Sequence, residues 1–118
     1  MEKRYKTPKE CLGKLMPVRD TLDIFQGKWK IQIISVLMYY DECSFKLLKE
    51  SVKGITSKML SKELKELEVN QLVEREVIDT RPVTIRYRIT PYGESSRDII
   101  IALYNWGVEH RKKIIGKE

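Results

Sequence analysis

Apolar positions recur at helical spacing along most of the chain. Val18, Leu22 and Phe25 fall at i, i+4 and i+7. They predict a short first helix from Met16 that stops at Gly27, where a left-handed cap suits glycine. "KWKIQIISVLMYY" follows, with Trp29, Ile33, Val36, Leu37 and Tyr40 on one face and Ile31, Ile34 and Met38 on the other. A helix apolar on both faces must be covered on both, so this is the expected central helix. "DEC" breaks the period, and "SFKLLKESV" predicts a third helix with Ser44 as N-cap and Phe45, Leu48 and Val52 as its buried stripe.

Gly54 leaves only a tight turn before the next helix, which Thr56 can cap, so the two helices form a helix-turn-helix. Leu60, Leu64 and Leu67 define the core line of the second. Lys58, Lys62 and Lys65 form one stripe centred about 160° away from it. "VEREVI" and "IRYRIT" are strand-like runs around "DTRPVT", a β-hairpin with a basic tip. Thr90 and Pro91 then open a helix to Ile115 of about 25 residues, roughly 37 Å long. It carries two apolar lines, one through Ile99, Leu103 and Trp106 and one through Ile100 and Tyr104. One can cover the hairpin and central helix, and the other calls for a partner chain.

The expected fold is mainly α with a small β-hairpin (α+β), a winged helix-turn-helix with N- and C-terminal dimerisation helices. Residues 1–15, polar and basic with Pro8 and Gly13, read as a flexible arm, and residues 16–118 as the domain, including a C-terminal dimerisation helix over 91–115.

At 118 residues and 42% apolar content the chain suits one folded domain. Its net charge of +6 favours anionic partners without choosing among them. No apolar run is long enough to cross a bilayer and the N-terminus has no secretory h-region, so no membrane partner and a cytoplasmic location are expected. Two cysteines, Cys11 and Cys43, are too few for a disulfide framework. His110 alone makes no metal site, no nucleophile–base pair or glycine-rich phosphate cradle is present, and neither an enzyme nor a cofactor is expected.

A lysine stripe taken alone is usually a solvated face, with Glu63 and Glu66 pairing to neighbours on their own helix. Between a tight turn and a basic hairpin it becomes a recognition helix for the major groove, beside a wing that reaches phosphates. Lys58, Lys62 and Lys65 would neutralise phosphate, and Thr56, Ser57 and Ser61 would let the helix approach base edges. Thr80, Arg81 and Thr84 belong to the wing tip, and Arg81 suits phosphate or a minor groove. Arg86 and Arg88 face solvent across the hairpin. Trp29 and Trp106 lie on apolar lines and read as core. The expected partner is double-stranded DNA. The competing reading is a protein-interaction module binding an acidic partner surface.

"GKW" at 27–29, "GITSKMLSKELKELE" at 54–68, "LVERE" at 72–76, "RPVTIRYRIT" at 81–90, "PYG" at 91–93 and Trp106-Gly107 resemble the HxlR-type bacterial winged-helix transcription regulators, over roughly residues 16–107. The resemblance implies a homodimer formed by the first and last helices on a pseudo-palindromic operator. It puts Leu22, Phe25, Ile100, Leu103 and Tyr104 at the dimer interface. Family members often carry a cysteine just before "PV", which in some senses electrophiles or oxidants. Here that position is Met16, which leaves Cys11, between Lys9 and Lys14, as the candidate redox sensor, and leaves room for a small-molecule or oxidant effector. Gln71 stands where the family usually has glycine, and Asn70 is expected to take the left-handed turn instead.

Overall fold

The computed structural model describes residues 6–79 and 81–116. The order is α1 (Pro8–Ile24), α2 (Lys30–Tyr40), β1 (Glu42–Ser44), α3 (Phe45–Ser51), α4 (Ser57–Val69), β2 (Val73–Ile78), β3 (Thr84–Ile89), α5 (Pro91–Glu94) and α6 (Arg97–Ile115). The core sits where α2, α3 and α4 meet one face of the sheet. Ile33, Ile34, Leu37, Leu48, Leu60, Leu64 and Leu67 are all buried there. Burial of the adjacent Ile33 and Ile34 shows α2 covered over a wide arc, as a helix apolar on both faces requires.

The hairpin β2–β3 gains a third strand, because "DEC" is not simply a break: β1 pairs antiparallel with β3 and makes the strand order β1-β3-β2. Its three residues are too few to show alternation in the sequence. Cys43 opposes Tyr87 on the inner face, and both are buried. Glu42 opposes Arg88 on the outer face, where Arg88 also meets Glu74 and Glu76, and Arg86 meets Glu42.

Residues 8–15 are helical, so the first helix begins at Pro8 and not at Met16. The cause is a capping box in "TPKE": Thr7 Oγ1 accepts the Glu10 N–H at 3.1 Å, and the Glu10 carboxylate accepts the Thr7 N–H at 3.3 Å. Pro8 occupies the first turn, where its missing N–H is harmless. Only the segment before Lys6 of the expected arm lies outside the described residues.

The expected single helix over 91–115 is two. Thr90 Oγ1 accepts the Gly93 N–H at 2.8 Å and donates to the Gln71 carbonyl at 2.7 Å, which pins α5 to the base of the hairpin. The buried Ser96 then turns its hydroxyl back to the Gly93 carbonyl at 2.7 Å, satisfying the backbone locally while the chain changes direction into α6.

The left-handed residue after α4 is Gln71 (φ +65°), while Asn70 keeps φ −83° and donates its side-chain amide to the Glu66 carbonyl at 3.1 Å. Asn70 is thus used as a cap on the last turn, and the turn falls on the next residue, against the expectation.

Neither α1 nor α6 has a buried residue. The radius of gyration is 17.6 Å, against about 13.5 Å for a compact chain of this length. The excess comes from helices that extend beyond the core.

Candidate nucleic-acid interface

Ser44 caps α3 through the Leu47 N–H at 3.1 Å, and Thr56 caps α4 through the Met59 N–H at 3.1 Å. Between the two helices Gly54 adopts φ +89°, beside the Trp29 ring. Trp29 is half-buried against the core, consistent with its apolar line, and Lys28 lies over its ring. Helix, short turn and helix are therefore held from both sides: by caps at each N-terminus and by an aromatic floor beneath the turn.

On α4 the buried leucines leave Ser57, Lys58, Ser61, Lys62 and Lys65 exposed, with Thr56 exposed at the cap. None of the three lysines forms a salt bridge among the described residues. Glu63 and Glu66 do not pair with them. Both carboxylates turn inward to Lys30 on α2, a buried ammonium held between two carboxylates one turn apart. Burial alone would lower the Lys30 pKa, but the hydrogen bonds it donates to Glu63 and Glu66, with the charges of both carboxylates, outweigh burial and raise the value above that of an ordinary lysine. The hydrogen bond from Lys30 holds the Glu66 carboxyl below the usual range. The lysine stripe is thus left free of direct ion pairs with Glu63 and Glu66, although Glu66 stays partly exposed and within electrostatic reach of Lys62.

The wing tip carries Arg81, exposed, and Thr84, half-buried at the start of β3 with its hydroxyl toward the Pro82 carbonyl. Thr80 lies outside the described residues. Arg86 and Arg88 are not simply solvated, since the outer-face carboxylates engage both. Arg75 is different. Its register partner is Tyr87, so it shares the inner face of the sheet, and it lines a cleft of about 530 Å³ with Ser61, Lys65 and Glu68 of α4 over a floor of Phe45, Leu64, Ile85 and Tyr87. It is exposed and makes no salt bridge among the described residues. Sequence reasoning passed over it, although the alternation of "VEREVI" against "IRYRI" places Arg75 opposite an inward tyrosine and Glu74 and Glu76 opposite arginines.

The expected interface residues of the terminal helices divide. Leu22 (64% exposed), Leu103 (51%) and Tyr104 (69%) stand free of the core. Phe25 and Ile100 are half-buried and pack against it, so the covered line of the last helix runs through Ile100 and not through Ile99 and Trp106. Trp106 is not core in this chain: it is 69% exposed and stacks on His110, ring centroids 5.0 Å apart.

Cys11 is half-buried on α1. Cys43 is buried, and burial, with Glu42 adding to it, pushes its thiol pKa up, which keeps it in the unreactive form. Among the described residues no helix is long and apolar enough to cross a membrane.

The family profile described as HxlR-like helix-turn-helix matches residues 24–114. The HTH-type transcriptional regulator YtcD of Bacillus subtilis is 33% identical over 99 residues, covering 84% of this chain and 78% of that protein. The HTH-type transcriptional regulator BH0655 of Halalkalibacterium halodurans is 36% identical over 107 residues, covering 86% and 95%. Among solved structures, the redox regulator HypR in its reduced form superposes with a TM-score of 0.76 at 30% identity, covering 85% of this chain and 97% of that one. Reduced YodB of B. subtilis superposes at 0.70 and 28% identity, covering 93% and 95%. The chain belongs to the HxlR-like helix-turn-helix family and has the winged-helix fold of these regulators.

Proposed function

We propose that this transcription regulator of the HxlR-like family acts as a homodimer that binds a two-fold related duplex site, with α4 of each protomer in the major groove and each wing on the neighbouring phosphates. The observation that carries the proposal is the outward face of α4. Three lysines and three hydroxyl residues are exposed together there, while Glu63 and Glu66 form their ion pairs with Lys30 and not with the stripe. Such a face supplies phosphate neutralisation and close approach to base edges at once. Arg75 and Arg81 extend the same positive surface onto the wing. The exposed apolar residues of α1 and α6 support pairing of two chains, and two-fold pairing places half-sites about one helical turn, or a multiple of it, apart.

An oxidant is the effector class that the neighbours favour, because HypR and YodB are described as a redox regulator and as a transcriptional regulator solved in reduced and diamide-treated forms. In this chain Cys11 is the thiol through which such an effector would act, since Cys43 is buried.

The direct test is an anisotropy titration against the upstream region of its own gene and against random duplex of equal length, across a salt series. Tighter binding to the upstream region with a steep salt dependence is expected. Equal affinity for both duplexes would leave the acidic-protein module as the better reading.

A further inference from the structure

We propose that Lys30 is a positioning residue for DNA recognition: by clamping Glu63 and Glu66 it fixes the rotation and axial register of α4, and so decides which side chains face the groove. The inference rests on the DNA-binding reading above and deepens it.

The apolar contacts of α4 do not by themselves choose a unique orientation. Leu60, Leu64 and Leu67 form a stripe, and apolar attraction is non-directional, so burial of the stripe against α2 leaves small rotations opposed by side-chain packing alone. A rotation of about 20° would carry a side-chain tip ~6 Å from the axis through about 2 Å. That exceeds the tolerance of a hydrogen bond to a base edge. The Lys30 ammonium is a compact charge whose position is fixed by its burial. It reaches Glu63 and Glu66, three residues apart on α4, and a turn or slide of α4 breaks one contact or the other.

The burial of the pair points to specificity more than to stability. The Lys30 and Glu63 side chains are 4% and 9% exposed, so the ions are taken out of water, and an apolar pair of similar volume commonly serves stability as well or better. What an apolar pair does not supply is a single register, the role for which buried polar groups are best attested. Lys30 has no access to DNA itself, which makes its effect on recognition indirect.

The experiment uses two apolar replacements of the full chain, K30M/E63L and K30L/E63M, so that a packing fault in one does not decide the matter; each carries E66Q, so that no freed carboxylate neutralises Lys62, and E66Q alone is the charge-matched control. Affinity is measured for the best upstream duplex and for random duplex, and amide spectra of α4 are compared with those of β2 and β3. The expected result is a folded protein whose preference for the upstream duplex falls by at least about ten-fold. Its affinity for random duplex and its salt slope should stay near those of E66Q, and α4 amides should shift or broaden while strand amides do not. Wild-type discrimination in either folded variant overturns the proposal, and so does failure of both to fold, which would make the pair a requirement of stability. If the wild-type protein shows no preference among duplexes, the DNA-binding reading fails first, and the two failures are told apart by that control.

Discussion

Gly93 lies so close to the backbone of Leu72 that a Cβ built on it would stand 2.2 Å from the Leu72 carbonyl oxygen, and 2.7 Å from Ile89 Cγ1. Both neighbours belong to the base of the hairpin, so the contact welds α5 to the wing, with Thr90 capping one and donating to the other. Neither obstacle is the free end of a flexible side chain. Gly93→Ala should therefore destabilise the fold by about 3 kcal/mol, measured by urea unfolding at fixed protein concentration. A loss under about 0.5 kcal/mol, the size of an ordinary surface substitution, would show that α5 can lift off without consequence.

Gln71 presents the opposite case. Its left-handed backbone (φ +65°) strains a residue with a Cβ, and its side chain is exposed. Gln71→Gly should raise stability by about 0.5–1 kcal/mol, the relief of the strained turn less the added freedom of the unfolded chain. Thermal unfolding at matched concentration checks it, and an unchanged or lower midpoint would contradict the strain.

Much of this architecture was legible in the sequence because its signals are local. Ser44 and Thr56 announced helix starts by residue type, and leucines at 60, 64 and 67 announced the buried side of α4. "TPKE" carried the same kind of signal as a capping box, but the polar composition of the first 15 residues masked it. What stayed hidden depends on contacts between distant residues. Nothing near Lys30 says that it will meet carboxylates 33 and 36 positions later. The three residues of β1 show no period, and the break at Ser96 follows from how tightly Gly93 is seated. The lysine face of the candidate site was readable, whereas Arg75 needed the strand register.

The two kinds of wing arginine should separate in salt titrations. Arg75 has no salt bridge among the described residues and lies beside Lys65, while Arg88 is engaged by Glu42, Glu74 and Glu76. Each lost phosphate contact lowers the slope of log affinity against log salt by about 0.9, hence by about 1.8 for a dimer. Arg75→Ala should show that reduction with weaker binding, and Arg88→Ala should leave the slope as it is. Equal slopes for both variants and wild type would remove Arg75 from the interface.

The Lys30 clamp has two pH limits. Because the Lys30 pKa is raised on folding, its contribution is complete below the ordinary value of 10.5 and is lost as pH rises through the folded value. Because the Glu66 pKa is lowered, its contribution is present above the ordinary 4.5 and is lost as pH falls through the folded value. Stability measured below pH 4.5 should therefore fall less steeply in Glu66→Gln than in wild type. Parallel acid limbs would mean that Glu66 is not held by Lys30 in solution.

The proposed dimer would form on surface that the single chain leaves open. Leu12, Met16, Val18 and Leu22 on α1, and Leu103, Tyr104 and Trp106 on α6, are each more than half exposed, although they sit on helices that extend from a well-packed core. Singly exposed apolar residues need no explanation, but continuous lines of them on two helices do. Tyr104→Asp places a carboxylate on such a line without disturbing the monomer core, since Tyr104 is 69% exposed. A charge buried unpaired in an interface is expensive, so the variant should sediment as a folded monomer at micromolar concentration where wild type sediments as a dimer. Its affinity for a two-fold site should fall toward that for a half-site, because the second recognition helix is no longer tethered to the first. A folded variant that remains dimeric would move the interface away from α6.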